Sequence, residues 1–561
     1  MKVSHVLFIL NLVIGISGCS AEEDALPSTP SVPCPPIPSP VPLTSDTPVS
    51  TQPSHTSLVT PKGQHTPGLL VVHPQNPAYF QDTATGKAVF LHGFDHFRAL
   101  QEVNNNDVSP LDFQAFIAQL TRYHHNFLRL WMWEHFWRIS EVNEIHPEGE
   151  PSHVRGPHIY QRTGPGNAID GQLKFDLTKF DQRYFDRMRE RIIMAGKSGI
   201  WVSVMLFQGW SLEGLGNFAN TPWQGHPFNR HNNINGINGD VDQDGNGWEI
   251  HTRTHPQINA LHEAYVKKVI DTIGDLESVL FEISNESVAT EIPGRCHHVS
   301  RVQDWAFHQI ALIRQYEDLK GVGPHPIGLS GFRPIPGDPP LEGNNLFLLS
   351  SPADYISPTG DPWSGKEEWK YDPPIATGEK VVIADSDHIQ PGKHGGPGIR
   401  SWLWRTFTRG HNINTVDGDP HQGADWVSSG DSQTMRAMDR LVSKVNLAAM
   451  RPHPALSSTT YCLADPGQAY IVYQPLKPRK AHGEGEPFHL NLLGGDYRYE
   501  WFNPTTNEIT HTGQITKATG TSTFKPPFYD HAVLFLLGVN REGHETHHVE
   551  KPFSLWGADE Q

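Results

Sequence analysis

The sequence predicts an α/β protein: a (β/α)8 TIM barrel followed by a smaller C-terminal all-β sandwich domain. Three observations predict it. From Leu69 onward, short apolar runs alternate with segments of helical period, the pattern of strand–helix units around a parallel sheet. About eight such runs occur, the number that closes a barrel. From about Arg451 the helical stripes stop and short alternating strands take over, as in an antiparallel sandwich.

The candidate strand cores, in order, are AVFLHG (88–93), NFLRLW (126–131), GIWVSVML (199–206), SVLFEI (278–283), PIGLSG (326–331), DYIS (354–357), KVVIAD (380–385) and NINTVD (412–417). Between them the helices are marked by periodic apolar stripes. Ser109-Pro110-Leu111-Asp112 resembles a capping box with proline at the first helical position, and Phe113, Phe116, Ile117 and Leu120 follow at helical spacing. Ile258, Leu261, Val266, Val269, Ile270 and Ile273 make a second stripe of the same kind. The insertion 208–257 shows neither period, and structureless segments of that length inside a compact domain are usually functional. In the C-terminal part AYIVYQ, YRYEWFNPTTNEIT and HAVLFLL read as strands, the second interrupted by a turn.

The N-terminus predicts export. Lys2 precedes an apolar run, Val6 to Ile16, that is short for a bilayer span. It ends in Ile16-Ser17-Gly18-Cys19, which resembles the lipobox of bacterial lipoproteins, so Cys19 is the expected lipidated residue. Ser20 in place of an aspartate implies an outer-membrane or cell-surface address. The expected divisions are therefore 1–18 signal peptide, 19–68 linker rich in Pro, Ser and Thr, 69–450 barrel and 451–561 sandwich. Acidic residues outnumber basic ones 61 to 44, a net charge of -17. That balance argues against nucleic acid as a partner and against binding of the folded part to an anionic membrane. Cys34 falls in the linker, and spacing leaves open a bridge between Cys296 and Cys462.

Strand parity selects the chemistry. In FLRLWMW, Phe127, Arg129, Trp131 and Trp133 share one face, which places Arg129 inside the barrel. The same rule puts Glu282, Ser284 and Glu286 on one face of VLFEISNES, with Val279, Phe281 and Ile283 toward the helices. Glu282 lies deeper and is expected to pair with Arg129, whereas Glu286 reaches the carboxyl end of the strand, where barrels build active sites. Cleaving a glycosidic bond needs a second carboxylate. The seventh strand offers Asp385 and Asp387 on one face, and Asp385, nearer the strand, is favoured. Glu134 is a further candidate that reads equally well as a solvated rim residue.

An Asn285-Glu286 pair closing the fourth strand, with Asn126 and Arg129 in HNFLRLW on the second, resembles the clan of retaining glycoside hydrolases with cellulase-like barrels. The resemblance implies Glu286 as acid/base, Asn285 as a sugar contact and Arg129 as support for the nucleophile. The clan has a glutamate at the end of the seventh strand, and this chain has Asp385. HPFNRHNNINGINGD, LFEISNES, ADSDH and WFNPTTNE further resemble a group of exported bacterial proteins that join such a barrel to a C-terminal module labelled collagen-binding. The expected activity is hydrolysis of a polysaccharide or oligosaccharide, anchored at a membrane through lipid. Asp387, His388, Trp131, Trp133, Glu134 and Trp210 join the expected substrate site, and Trp223, Trp248 and Trp363 are further aromatic candidates.

The rival expectation is a glycan-binding or adhesion protein that has lost chemistry. No protease motif or Ser/His/Asp triad supports a collagenase. No cofactor is expected for the reaction, but Asp240, Asp242, Asp244 and Gly245 resemble the opening of a calcium loop. Where an EF-hand has its bidentate glutamate stands His251, so the loop is incomplete and reads equally as a solvated turn. His92, Asp95 and His96 are an unfavoured zinc cluster, since 33 histidines make chance groupings common.

Overall fold

The computed structural model describes residues 66–104, 110–136, 153–212, 222–335, 338–339, 341–360, 368–391, 398–416, 430–476 and 485–539. The signal peptide, Cys19, the linker up to residue 65 and Trp363 lie outside them. Eight parallel strands close into a barrel. They are β1 (His92–Asp95), β2 (Phe127–Leu130), β3 (Trp201–Gln208), β4 (Val279–Asn285), β5 (Ile327–Ser330), β6 (Tyr355–Ser357), β7 (Val381–Asp385) and β8 (Asn412–Val416). Each is followed by a helix: α1 (Phe113–Arg122), α2 (Gln182–Lys197), α3 (Pro256–Ile273), α4 (Val299–Lys320), α5 (Asn344–Ser350), α6 (Glu368–Tyr371), α7 (Ile399–Thr408) and α8 (Gly430–Val442). Every residue of β3 and β4 is buried, because helices cover the outer face and side chains fill the inner one. Among the described residues no helix is long and apolar enough to cross a membrane.

All eight expected strands are present, but the first is displaced. Ala88–Val89 pairs with Phe80–Asp82 in a small antiparallel sheet, and the barrel strand begins only at His92. One apolar run thus serves two sheets, which periodicity cannot separate. The expected cap of α1 also moves: Asp112 accepts a hydrogen bond from the Ala115 amide at 2.9 Å and is the N-cap, with Pro110 ahead of the helix. The small sheet has a purpose in the fold. Its Leu70 and Phe80 pack on Phe127, Trp201, Leu280 and Val381, at or near the first residues of four barrel strands, and so floor the barrel's amino end.

An unanticipated hairpin, Tyr160–Asn167 with Leu173–Phe180, stands between β2 and α2. Between β3 and α3 the described residues of the insertion hold single 3-10 turns at Gly209–Leu212, Pro222–Gly225 and Trp248–His251 and one isolated bridge, Asn233 with Phe175.

Beyond α8 come β9 (Arg451–Pro452), β10 (Cys462–Asp465), β11 (Ala469–Gln474), β12 (Phe488–Asn503), β13 (Glu508–Phe524) and β14 (Ala532–Val539). They form one antiparallel sheet in the order β9-β10-β11-β14-β12-β13. The two layers expected of a sandwich come from this single sheet folding over. Phe488 and Trp501 lie at opposite ends of β12, about 43 Å apart on a straight strand, yet their rings are 6.0 Å apart. The fold-over falls at register shifts around Gly495. One face, with Ile471, Tyr473 and Phe535, shares the barrel's core. The other, with Tyr470, Val472 and Leu534, has a core of its own. Cys462 is a free buried thiol that burial pushes up to about 12, so it is not bridged to Cys296.

Candidate active site

Strand register assembles a polar cluster at the carboxyl end. Asp95 is level with Arg129, Gln208 with Asn285, and Asp385 with Asn414. Arg129, 3 % exposed, is the hub. Its Nε and Nη2 donate to Glu282 at 2.7 and 2.6 Å, and Nη2 also donates to Asn285 Oδ1 at 2.7 Å. Its Nη1 donates to Asp95 and Asp385 at 3.3 Å each. Burial alone works against the guanidinium charge, but Glu282, Asp385 and Asp95 outweigh it and hold the pKa well above the ordinary value. Asp95 has the opposite balance. Burial, then the Asp385 charge, pushes its carboxyl well above the usual range despite Arg129.

The parity reading places Glu282 correctly and fails two residues later. Ser284 does not share Glu282's surroundings: its hydroxyl meets Ser287 Oγ at 2.7 Å, and Ser287 meets His251 Nδ1 at 2.9 Å. Asn285 points inward instead, donating to Gln208 Oε1 at 2.9 Å. Alternation is not kept to the end of the strand, and the next residue, Glu286, turns out of the extended region at φ 45°. Glu286 is half-buried, just past the end of β4. Its carbonyl would lie 2.1 Å from a Cβ at position 209, so only glycine there admits the turn. A positive φ at a glutamate costs energy, and such residues cluster at functional sites.

Asp385 is 2 % exposed. Oδ2 accepts from Asn414 at 2.8 Å as well as from Arg129, and Oδ1 caps a one-turn helix, Ser386–Ile389, through the Asp387 amide at 2.8 Å. Asp387 lies in that turn and is half-buried, so the two aspartates do not share a strand face. His388 reaches back into the cluster. Its Nε2 donates to Asn285 Oδ1 at 2.7 Å, which leaves Nδ1 to accept from Ser357 Oγ at 2.8 Å. Burial lowers its pKa to about 4, so the ring is neutral.

Glu134 is not a solvated rim residue. At 7 % exposure it accepts from the Gln208 amide at 2.7 Å and lies 3.3 Å from His226 and 3.4 Å from His251. Burial raises its pKa, but the two imidazoles outweigh burial and hold the carboxyl well below the carboxylate range. Trp131 and Trp133 are 4 % exposed and belong to a packed aromatic group with Phe97. Trp223 and Trp248 are buried in the loops, and Trp210, edge-on to Trp133, is partly exposed. Asp240, Asp242 and Asp244 do converge, whereas His251 has left them for Glu134. The His92-Asp95-His96 run disperses: Asp95 meets Arg129, His92 stacks on Phe90 and His96 packs on Phe116.

Gln208, Asn414 and His226 escaped the sequence reading, which had placed Asp95 only in an unfavoured zinc cluster and His251 only at the missing ligand position of the calcium loop. Asp95 had a readable signal, since a first strand placed at His92 sets it level with Arg129. The histidines come from an aperiodic loop and had none.

Residues 151–309 match a family described as a domain of unknown function, DUF6298. No match to a curated protein is found. A solved structure titled glycoside hydrolase is similar over 84% of this chain and 97% of its own, at 12% identity and a TM-score of 0.51. A glycoside hydrolase family 5 structure from Bacteroides vulgatus ATCC 8482 is similar over 84% of this chain and 94% of its own, at 13% identity and a TM-score of 0.51. At these identities the likeness is one of fold: a closed parallel barrel with a smaller all-β domain behind it.

Proposed function

We propose that the protein is a glycoside hydrolase that cleaves a polysaccharide or oligosaccharide with two carboxylates, Glu286 and Asp385. The observation that carries this reading is the cluster around Arg129. Glu286, in a left-handed turn, and Asp385 both close strands at the end where barrels place their chemistry. Arg129, Asn414 and the Asp387 amide each donate a hydrogen bond to Asp385 and fix its position, as an attacking or water-activating carboxylate requires. Glu286 protonates the leaving oxygen. Asn285, the last residue of β4, is held by Arg129 and by His388 from the turn after β7. Arg129 spends its donors on protein groups and is a positioning residue. Trp210 is the aromatic side chain of the set best placed to meet a sugar face. In keeping with the N-terminal sequence, the enzyme is anchored outside the cytoplasm through Cys19.

One observation favours the rival reading. Both oxygens of Asp385 are engaged and the group is buried, as in a site that binds glycan without attacking it. Screening the purified protein on a glycan panel separates the two, with cleavage expected. On the cleaved glycan, Glu286→Gln should lose about 10²–10⁴-fold in rate yet keep much of the first step on an activated aryl glycoside, while Asp385→Asn loses both. Binding without cleavage selects the adhesion reading. Full activity in Asp385→Asn with loss in Asp387→Asn would move the second carboxylate to Asp387.

A further inference from the structure

The acidic loop after β3 is more complete in space than in sequence. One oxygen each from Asp240, Asp242 and Asp244 lies within 4.8 Å of the others, and Asp242 is likewise grouped with Glu249 and His297. The loop is wound for this by left-handed residues Gln243 and Gly245 and by turns in which each aspartate accepts a backbone amide. Glu249 is the independent observation. It is 0 % exposed, its Oε1 meets His297 Nδ1 at 3.3 Å, and its Oε2 is buried without a partner. Asp240 Oδ1 is buried and unpartnered as well. Among the described residues none of these four carboxylates is ion-paired with a lysine or arginine. A fully buried carboxylate facing three others is costly unless a cation compensates it.

We propose that Asp240, Asp242, Asp244 and Glu249 bind one calcium ion. The donors are carboxylate oxygens, the set a hard cation takes, with water completing six to eight ligands. Glu249 replaces the ligand that sequence spacing would have asked of His251, and His297 orients it. Because His297 lies in the loop between β4 and α4, the ion ties the third strand–helix loop to the fourth. Glu249 and His251 share the Trp248–His251 turn. On the other side of that turn, His251 contacts Glu134 and Ser287, the residue after Glu286. The ion therefore stiffens the support of the candidate active site without touching it, and the proposal does not depend on the hydrolase reading.

The test uses the full chain, washed with chelator and titrated with calcium, magnesium or zinc. Calcium at a hundredfold excess over its Kd should raise the melting midpoint by about 3 °C. Terbium, which takes oxygen ligands as calcium does, should luminesce on tryptophan excitation, since Trp248 lies against His297, and calcium should displace it. Glu249→Gln and Asp240→Asn should each weaken calcium at least tenfold, while Asp186→Asn on the exposed face of α2 leaves it unchanged. An equal midpoint with and without calcium, a preference for zinc, or wild-type calcium affinity in Glu249→Gln would overturn the proposal. If Glu249→Gln does not fold, the half-buried Asp240→Asn and the wild-type terbium titration decide between the two outcomes by themselves.

Discussion

The two ends of the barrel are built from the same strands and have opposite chemistry. At the amino end, Phe127, Trp201, Leu280 and Val381 meet Leu70 and Phe80 in a dry floor. At the carboxyl end the same strands finish in Arg129, Gln208, Asn285 and Asp385, every one hydrogen-bonded to another. Phe127 and Arg129 sit two residues apart on β2 and face the same interior. The floor is held by apolar burial, which tolerates shape-conserving change. The polar end is held by one cation among three carboxylates, where removing a single partner strands the rest.

That contrast yields the largest expected effect. Arg129→Met should destabilise the fold by about 3–5 kcal/mol, because Glu282 and Asp385 lose their buried counter-ion, and should slow turnover of the folded fraction by about 10²–10³-fold. Phe127→Ala should destabilise by a similar ~3–5 kcal/mol through a cavity and leave the rate per folded molecule unchanged. Denaturant melts paired with rates corrected for folded fraction check both. Equal rate losses in the two variants would dissolve the distinction between floor and site.

Acid should reveal the buried imidazoles. Burial lowers His388 and His411 to about 4 and His158 and His262 to about 3, from an ordinary 6.5. The unfolded chain takes up these protons near pH 6.5 and the folded chain does not. Their contribution is therefore complete above pH 6.5 and is lost as pH falls from there toward 4. We expect the melting midpoint to drop steeply across that window, and His388→Gln to reduce the drop by up to about 3 kcal/mol. A flat profile between pH 6.5 and 4 would mean these rings are not held neutral.

What was legible in the sequence follows the same divide. Eight apolar runs gave eight strands because burial on both faces leaves a strong signal. Glu282 was placed by parity, which holds wherever the strand stays extended. The reading failed where backbone geometry leaves the pattern: at Ala88–Val89, where one run served two sheets, and at Asn285, one residue ahead of a positive φ. Loop-borne groups such as His226 and Glu249 reach their partners by turns that no period encodes. The 208–257 insertion was recognisable as irregular from its lack of period, and its contacts were not.

The smallest effect tests a region that belongs to neither end. The C-terminal sheet docks on the barrel's flank: Tyr473 on β11 donates to Ser401 on α7 at 2.9 Å and lies 2.8 Å from His531 Nδ1, while its ring stacks on Trp404. Ile471 and Phe535 of the sheet share one core with α7, which argues for a single cooperative unit. Removing the hydroxyl while keeping the ring isolates the polar part of this contact. Tyr473→Phe should cost about 1 kcal/mol, a loss of one neutral hydrogen bond with some compensation between its partners, and should leave turnover and the acid profile of the barrel unchanged. In calorimetry the wild type and the variant should each melt in one transition, the variant slightly lower. If the variant instead splits into two transitions, the sheet is a separately folding body that the barrel only contacts, and the flank must be counted apart from both ends.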